Sequence, residues 1–443
     1  MKNRLNTLNL SSRASISLAR AAMALGAGIL IFSTGTSAWS QQEEASTPPV
    51  YSVFYTFPGG TSGATPFGDG GTGTLAVDSE GNFYGTTAEE GSCCGVVFKI
   101  DPAGHETVLH AFNRTDGGYP GFGVVLNGAG DLYGTTPIGG FYGDGGIYKL
   151  DRAGNYTVIH TFTGGTDGWT PYNDLVRDES GNIFGVTQDG GLYGKGTIFK
   201  VDPADNYTII HSFTGGADGY SPTGLTVDGQ GTLYGTTYWG GADENRCGGV
   251  GCGVVFKLDS DGNETVLYNF TNGVDGGYPS GGVRLDNAGN LYGTTVTGGA
   301  HSRGVVFKLY TTGEERALYS FTGGADGENP DTSMVWDYYG NLYGTTQFGG
   351  TSNCGVVFQV TPQGKETVLH TFTGGADGCN ASGLIRVGSN VLYGTTFYGG
   401  SDGVGLLGCA DGCGIVFKLT LPDISDQIEE QREDLGEEAG LNK

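Results

Sequence analysis

Basic side chains are scarce in this chain of 443 residues. There are 22 Lys and Arg against 47 Asp and Glu, so the formal net charge is −25 at pH 7. A surface of that charge repels nucleic acid and anionic lipid, and we expect neither as a partner. Glycine-rich phosphate loops of the GxGxxG or GxxxxGK type do not occur between a strand and a helix, so no nucleotide or other cofactor is predicted.

Long apolar runs are equally rare. The one candidate is residues 21–32, which follow four basic residues and no acidic one, and which small residues follow in turn. This run is too short to span a bilayer comfortably and has the layout of a secretory signal peptide. We expect residues 1–40 to be a signal peptide cleaved between Ala38 and Gln41, with residues 41–50 as a linker. An uncleaved membrane anchor is the alternative, and no later segment is long and apolar enough to cross a membrane.

Glycine, in contrast, is abundant, with 86 residues, and it recurs within a repeat of about fifty residues. The phrase LYGTT or a close variant occurs seven times, and the phrases VFKL and TVLHTF keep step with it. Each repeat predicts four short strands joined by turns that contain Asp and Gly. The aromatic residue of LYGTT stands at Tyr84, Tyr133, Phe184, Tyr234, Tyr292, Tyr343 and Tyr393.

Four antiparallel strands per repeat are typical of a β-propeller blade, whose two faces are buried only in a ring. We therefore predict an all-β, seven-bladed propeller over residues 51–422, secreted as a monomer. The fourth-strand phrase at 51–57 comes first and the three strands at 383–419 come last, so the N-terminal strand should complete the last blade. An open solenoid is the alternative, and it would leave both terminal edges unpaired. Residues 423–443 are predicted to be an acidic polar tail.

The repeated units TVLHTFTGGADG, GNLYGTT and GVVFKL resemble the GloVer (Gloeobacter/Verrucomicrobia-type) tandem repeat of exported, choice-of-anchor bacterial proteins. The resemblance spans residues 51–419. It implies export and a propeller-like fold, and it implies no established activity and no catalytic residue. Members of that group often end in a hydrophobic anchoring tail, whereas residues 423–443 are polar and acidic.

Polar residues that recur in step with the repeat are interpreted as scaffold. Four histidines share a fourth-strand position with three tyrosines, which indicates packing; these seven residues are His110, His160, His211, His370, Tyr55, Tyr268 and Tyr319. The recurrent Lys of VFK predicts ion pairs with turn Asp residues. The recurrent Asp-Gly between blades predicts a turn, with calcium as the alternative, although each loop offers one carboxylate. We predict no catalytic residue and no metal site from these patterns.

The eight cysteines form an even set, which in an exported protein favours disulfides over metal ligands or catalytic thiols. The predicted bonds are Cys93–Cys94, Cys247–Cys252, Cys354–Cys379 and Cys409–Cys413. The third of these depends on the propeller, which places both loops on one face. A redox role for the adjacent pair Cys93–Cys94 is the alternative.

Aromatic residues cluster in the loops between blades and between second and third strands, which should emerge on one face. The candidate ligand-binding residues are Tyr119, Trp169, Tyr220, Trp239, Tyr278, Phe348 and Tyr398. Such side chains can stack on sugar rings or anchor a protein, although several could instead fill gaps between blades. We therefore predict a non-catalytic module that binds an extracellular glycan or protein. The alternative is a lyase or a quinoprotein-like oxidoreductase that uses Arg177, Arg284 and Arg386 with a carboxylate in the central channel.

Overall fold

Seven four-stranded antiparallel sheets follow one another along the chain, one for each sequence repeat. The computed structural model describes residues 47–66, 74–89, 91, 93–242, 247–400 and 412–422. Across those ranges the regular structure consists of strands and two short 3₁₀ turns, Gly60–Ser62 and Cys247–Gly249. The prediction of an all-β, seven-bladed propeller is confirmed. No helix in this part of the chain has the length and apolar character that crossing a bilayer requires.

Each blade contributes four consecutive strands, except that the first strand of the chain belongs to the last blade. Blades 1 to 3 contain β2 (Ala76–Val77), β3 (Phe83–Thr87), β4 (Val96–Ile100) and β5 (Glu106–Ala111); β6 (Val125–Leu126), β7 (Leu132–Thr136), β8 (Gly146–Leu150) and β9 (Tyr156–Thr161); and β10 (Trp169–Arg177), β11 (Ile183–Asp189), β12 (Thr197–Val201) and β13 (Tyr207–Ser212). Blades 4 to 6 contain β14 (Tyr220–Val227), β15 (Leu233–Trp239), β16 (Val254–Leu258) and β17 (Glu264–Asn269); β18 (Gly277–Leu285), β19 (Leu291–Thr297), β20 (Val305–Leu309) and β21 (Glu315–Ser320); and β22 (Val335–Trp336), β23 (Leu342–Thr345), β24 (Val356–Val360) and β25 (Glu366–Thr371). Blade 7 contains β26 (Cys379–Val387), β27 (Val391–Tyr398), β28 (Ile415–Thr420) and β1 (Val50–Thr56).

The ring closes through the N-terminal strand. β1 pairs antiparallel with β28, and the strand order of blade 7 is β26-β27-β28-β1. One apolar cluster joins this blade to blade 1 and includes Phe57, Phe98 and Tyr393. The open solenoid is therefore wrong, because both terminal edges are paired within one sheet.

The hydrophobic core consists of seven clusters, one at each junction between successive blades. At every junction the aromatic ring that directly follows a fourth strand packs against the third-strand ring of the next blade, with centroids 5.0 to 6.0 Å apart. Offset and edge-to-face aromatic pairs at this distance are favourable beyond the area that they bury. The pairs are Phe57–Phe98, Phe112–Tyr148, Phe162–Phe199, Phe213–Phe256, Phe270–Phe307, Phe321–Phe358 and Phe372–Phe417.

The glycine of LYGTT is explained by the same ring. In blade 3, Gly185 lies directly across from Phe199 in the β11–β12 register. A Cβ atom on Gly185 would lie 2.4 Å from the Cζ atom of that ring. The ring of Phe199 therefore covers Gly185. Because the glycine has no side chain, this ring can lie flat on its own sheet and still contact the preceding blade.

A second contact joins the loops of neighbouring blades. Ser221, which precedes Pro222 at the start of β14, has φ 56°, and its N–H donates to the carbonyl of Lys195 in blade 3 at 3.0 Å. Non-glycine residues rarely adopt this left-handed conformation, so the surrounding contacts must hold it. The equivalent residue of every blade has φ between 52° and 57°; these are Thr65, Tyr119, Thr170, Ser221, Tyr278, Asn329 and Asn380.

Two glycines of one loop test this contact. Gly196 has φ 100°, and a Cβ atom there would lie 2.5 Å from the Thr187 carbonyl oxygen and 2.6 Å from Pro222, whereas Gly194 has φ 68° and open space around it. Gly194→Ala should lower the free energy of unfolding by about 1 kcal/mol, because alanine is unfavourable in the left-handed conformation. Gly196→Ala should lower the free energy of unfolding by about 2 kcal/mol more, because the new methyl group must also displace Thr187 or Pro222 at the junction. Chemical denaturation measures both, and equal losses would contradict the junction geometry.

Candidate functional site

The loops between blades and those between second and third strands meet on one side of the ring, which we call the loop face. Within blade 4, for example, Gly241 donates its N–H to the carbonyl of Gly216 at 3.0 Å. These loops depart most from the repeat, and they contain the aromatic residues that the sequence singles out.

Five side chains of blades 3 to 5 contact one another on the loop face, and together with the exposed Trp169 of blade 3 we call them the aromatic strip. The strip consists of Trp169, Lys195, Tyr220, Tyr238, Trp239 and Tyr278. Trp239 is central, with its ring centroid 4.9 Å from that of Tyr278 and 5.0 Å from that of Tyr238, both edge-on. Tyr220 lies parallel to Trp239 at 6.4 Å, and Tyr238 stacks on Tyr278 at 5.1 Å. The four rings support one another across the junction between blades 4 and 5.

Charge and hydrogen-bonding groups accompany these rings. The ammonium of Lys195 lies 4.6 Å from the ring centroid of Tyr220, within cation–π range. Burial raises the pKa values of Tyr220, Tyr238 and Tyr278, so their hydroxyls remain protonated at neutral pH and can donate hydrogen bonds. Trp169, on the blade 3 side, is 45% exposed. The strip thus combines ring faces with polar donors.

The other predicted ligand-binding residues lie on the same face but in other blades. Tyr119 belongs to the entry of blade 2 and donates its N–H to the Cys94 carbonyl at 2.8 Å. Phe348 forms a bridge with Glu328 in blade 6. Tyr398, in blade 7, lies at the end of β27. These positions place Tyr119, Phe348 and Tyr398 outside the strip.

Sequence reasoning missed several exposed apolar side chains and one cation. Phe141 is 87% exposed, Tyr142 58%, Leu192 65% and Tyr193 55%, all in loops between second and third strands. Lys195 was also missed. The signal was available, because the segments GGFYGDGG and GGLYGKGT place large residues where the repeat otherwise has glycine and small polar residues.

Three disulfide bonds reinforce the loop face, Cys93–Cys94, Cys247–Cys252 and Cys354–Cys379. Cys413 is also disulfide-bonded, and Cys409 lies outside the described residues. The Cys354–Cys379 bond joins the loop of blade 6 to the first residue of β26 in blade 7. Four cysteines share one repeat position, immediately before the glycine that precedes the third strand; these are Cys94, Cys252, Cys354 and Cys413.

The recurrent Asp, His and Lys residues have structural contacts. In the loop between blades 2 and 3, the Asp167 carboxylate accepts from the N–H of Thr163 at 3.0 Å and lies 3.1 Å from Nε2 of His160. Lys149 forms ion pairs with Asp131 at 3.6 Å and with Asp205 at 3.1 Å. These contacts organise the loop and the blade edge, as expected for residues that repeat in step.

Asp174 and Arg284 are charged residues of first strands that break the repeat. First strands lie beside one another around the axis, and contacts there reach across blades. Asp174 occupies a position that is otherwise Thr, Gly or Ser, and Arg284 occupies one that is otherwise Ala, Val, Thr or Ile. The Asp174 carboxylate accepts from the N–H of Gly123 in blade 2 at 2.6 Å and from the hydroxyl of Thr74 in blade 1.

Arg284 compensates the charge of Asp174 from blade 5. Its Nε donates to the carbonyl of Met334 in blade 6 at 3.1 Å. Desolvation raises the pKa of Asp174, and hydrogen bonds from Thr74 and Gly123 and the charge of Arg284 oppose that rise. Hydrogen bonds of Asp174 thus join blade 3 to blades 1 and 2, and that of Arg284 joins blade 5 to blade 6.

The other two arginines do not join this pair. Arg177 is exposed near Gly128, and Arg386 donates to the carbonyls of Ser389 and Trp336. Arg177, Arg284 and Arg386 therefore do not converge on one carboxylate.

Removing Arg284 should make stability depend more steeply on pH. A carboxyl whose pKa is raised by folding holds its proton more tightly in the folded state, so stability falls as pH rises through that pKa. Arg284→Met should raise the pKa of Asp174 further. It should lower the free energy of unfolding by about 2 kcal/mol near neutral pH, a value between those of exposed and of fully buried ion pairs. The loss should shrink at pH 4.

Urea denaturation between pH 4 and pH 8 measures this dependence. Arg177→Met is the matched control and should change little, and Asp174→Asn combined with Arg284→Met should remove the added slope. A loss in Arg284→Met that is the same at every pH would show that the two charges do not interact.

Comparisons with known proteins agree with the architecture. A model of the Gloeobacter/Verrucomicrobia repeat matches residues 44–250 and 244–424. No curated protein matches the chain in sequence. The extracellular domain of a hybrid two-component system from B. thetaiotaomicron is similar in structure, with a TM-score of 0.51 and 13% identity over 86% of this chain and 43% of that one. A gluconolactonase from Xanthomonas campestris gives a TM-score of 0.41 and 15% identity over 66% of this chain and 83% of that one. The similarity to the extracellular domain shows a shared fold. The repeat model matches most of the chain, and the chain therefore belongs to the Gloeobacter/Verrucomicrobia repeat family.

Proposed function

We propose that this protein is an exported, non-catalytic propeller that binds a glycan through the aromatic strip. The observation that carries the proposal is the packing of Tyr220, Tyr238, Trp239 and Tyr278 around one junction, with Lys195 over the first of these rings. The strip lies in loops whose residues differ from blade to blade, whereas the residues that recur serve the scaffold.

The chemistry of the strip suits a sugar. The negative face of an aromatic ring attracts the C–H edge of a pyranose, and protonated tyrosine hydroxyls and an ammonium donate to sugar hydroxyls. The loops that hold these rings are fixed by the junction hydrogen bonds, Ser221 to Lys195 at 3.0 Å and Tyr278 to Cys252 at 2.9 Å. A surface held in this way loses little conformational entropy on binding.

Export is supported by the disulfide bonds, which form and persist in oxidising compartments. The signal peptide predicted at residues 1–40 lies outside the described residues and remains part of the proposal. A glycan of the cell envelope or of the surroundings is accordingly the expected ligand.

Catalysis in the channel is the second candidate, favoured by the electrostatic interaction between Asp174 and Arg284. However, the Asp174 carboxylate already accepts hydrogen bonds from Thr74 and Gly123, and both bonds tie blades together. The pair therefore supports a structural bridge better than a reactive group, and we favour binding at the loop face.

A glycan array followed by calorimetry with the best oligosaccharide tests the proposal. Trp239→Ala and Trp169→Ala should weaken binding, the first by at least about 30-fold, since a central aromatic anchor contributes about 2 kcal/mol or more. Trp169 is the more exposed of the two, so its loss should leave the fold intact.

Tyr338→Ala is the matched control, because this 92% exposed tyrosine lies in the turn between β22 and β23, away from the loop face. Its binding should equal that of the wild-type protein. Glycan binding that survives both tryptophan substitutions, or a wild-type protein that binds no glycan, would overturn the proposal.

A further inference from the structure

The fourth strands of neighbouring blades face each other through one pair of side chains at each junction. Three junctions stack a His on a Tyr, with ring centroids 3.7 to 4.0 Å apart: His110–Tyr156, His160–Tyr207 and His370–Tyr51. Three others place a Tyr opposite a Glu: Tyr55–Glu106, Tyr268–Glu315 and Tyr319–Glu366. In the first of these, the Tyr55 hydroxyl donates to Glu106 at 2.8 Å.

The junction between blades 3 and 4 combines the two types and places His211 opposite Glu264. Nε2 of His211 lies 3.6 Å from Oε2 of Glu264, too far for a hydrogen bond. Nε2 of His211 and Oε1 of Glu264 are both buried and have no hydrogen-bond partner. The second carboxylate oxygen of the other junction glutamates is unpartnered too, but those glutamates face a tyrosine hydroxyl, a poor metal ligand.

A third ligand stands beside this pair. Donor atoms of His211, Asp218 and Glu264 all lie within 4.8 Å of one another. Asp218 is oriented by Thr214, whose N–H and hydroxyl each donate to it at 2.6 Å, and its remaining lone pairs are available. At the three His–Tyr junctions the equivalent Asp lies 3.1 to 3.3 Å from the Nε2 atom of the His, and no glutamate among the described residues faces that nitrogen.

We propose that His211, Asp218 and Glu264 bind a divalent transition-metal ion, with Zn²⁺ as the probe. One imidazole nitrogen and two carboxylates form a ligand set that Zn²⁺, Mn²⁺ and Fe²⁺ accept, and three protein ligands leave a position for water or a ligand. The ion neutralises two carboxylates that otherwise repel each other.

Sequence reasoning treated His211 as a packing residue because its position in the strand is shared by all blades. The difference lies in the partner, since Glu264 belongs to the following blade and takes the place that Tyr156 and Tyr207 occupy at the His-bearing junctions before it. Only the pairing across the ring reveals the site.

Calorimetric titration of the EDTA-treated protein with Zn²⁺ tests the assignment. His211→Tyr is the sharpest variant, because it recreates the Tyr–Glu combination of three other junctions and so preserves the packing. The wild-type protein should bind one more equivalent of Zn²⁺ than this variant, and Zn²⁺ should raise the melting temperature of the wild type alone. Equal stoichiometry and equal thermal shifts would overturn the proposal.

A gain-of-site variant separates metal binding from a packing defect. Tyr268→His places an imidazole opposite Glu315 and beside Asp275, which reproduces the ligand set at the next junction. This variant should bind one additional equivalent of Zn²⁺, whereas Glu315→Gln, the control, should keep the wild-type stoichiometry. A Tyr268→His protein that binds no additional Zn²⁺ would contradict the proposed ligand set.

Discussion

The contact between neighbouring blades is the interaction on which the whole structure depends. A four-stranded sheet has two faces to bury, and each face is covered only by the next blade in a closed ring. Every junction contains an aromatic ring that follows a fourth strand packed against one from a third strand. A left-handed residue accompanies each ring pair, and at six junctions its N–H donates to a carbonyl of the preceding loop. Burying one such ring contributes about 2 kcal/mol, so seven equivalent junctions account for the persistence of the motif. The glycine of LYGTT persists because the ring needs its space.

This dependence explains what the sequence could predict. Blade number, strand order and closure followed from residues that recur at fixed spacing, because the junction imposes that spacing. Two of the disulfide pairs were predictable from short loop separations. The strip, the Asp174–Arg284 pair and the His211–Glu264 pair were less accessible, because their members come from different blades. The shortening of β2, β6 and β22 to two residues has no signal that we can identify in the repeat.

Function, in this account, is located where the repeat is broken. Lys195 stands at a position that holds cysteine in four other blades, and it brings an ammonium to the aromatic strip. Asp174 and Arg284 put a charge pair into a channel otherwise lined at those positions by small or apolar residues. His211 meets a glutamate where other histidines meet a tyrosine. Each departure is tolerated because the surrounding junction contacts stay intact, which leaves single positions free to acquire chemistry.

Native-state hydrogen exchange tests the closed ring most directly. β1 joins blade 7 only through β28, so its protection reports whether the N-terminal strand is a full member of the ring. The amides of Val50–Thr56 that bond to β28 should exchange as slowly as the equivalent amides of the other outer strands, β5, β9 and β13. Exchange in β1 that is faster by orders of magnitude would show that the ring is open at this blade, and would contradict seven equivalent junctions.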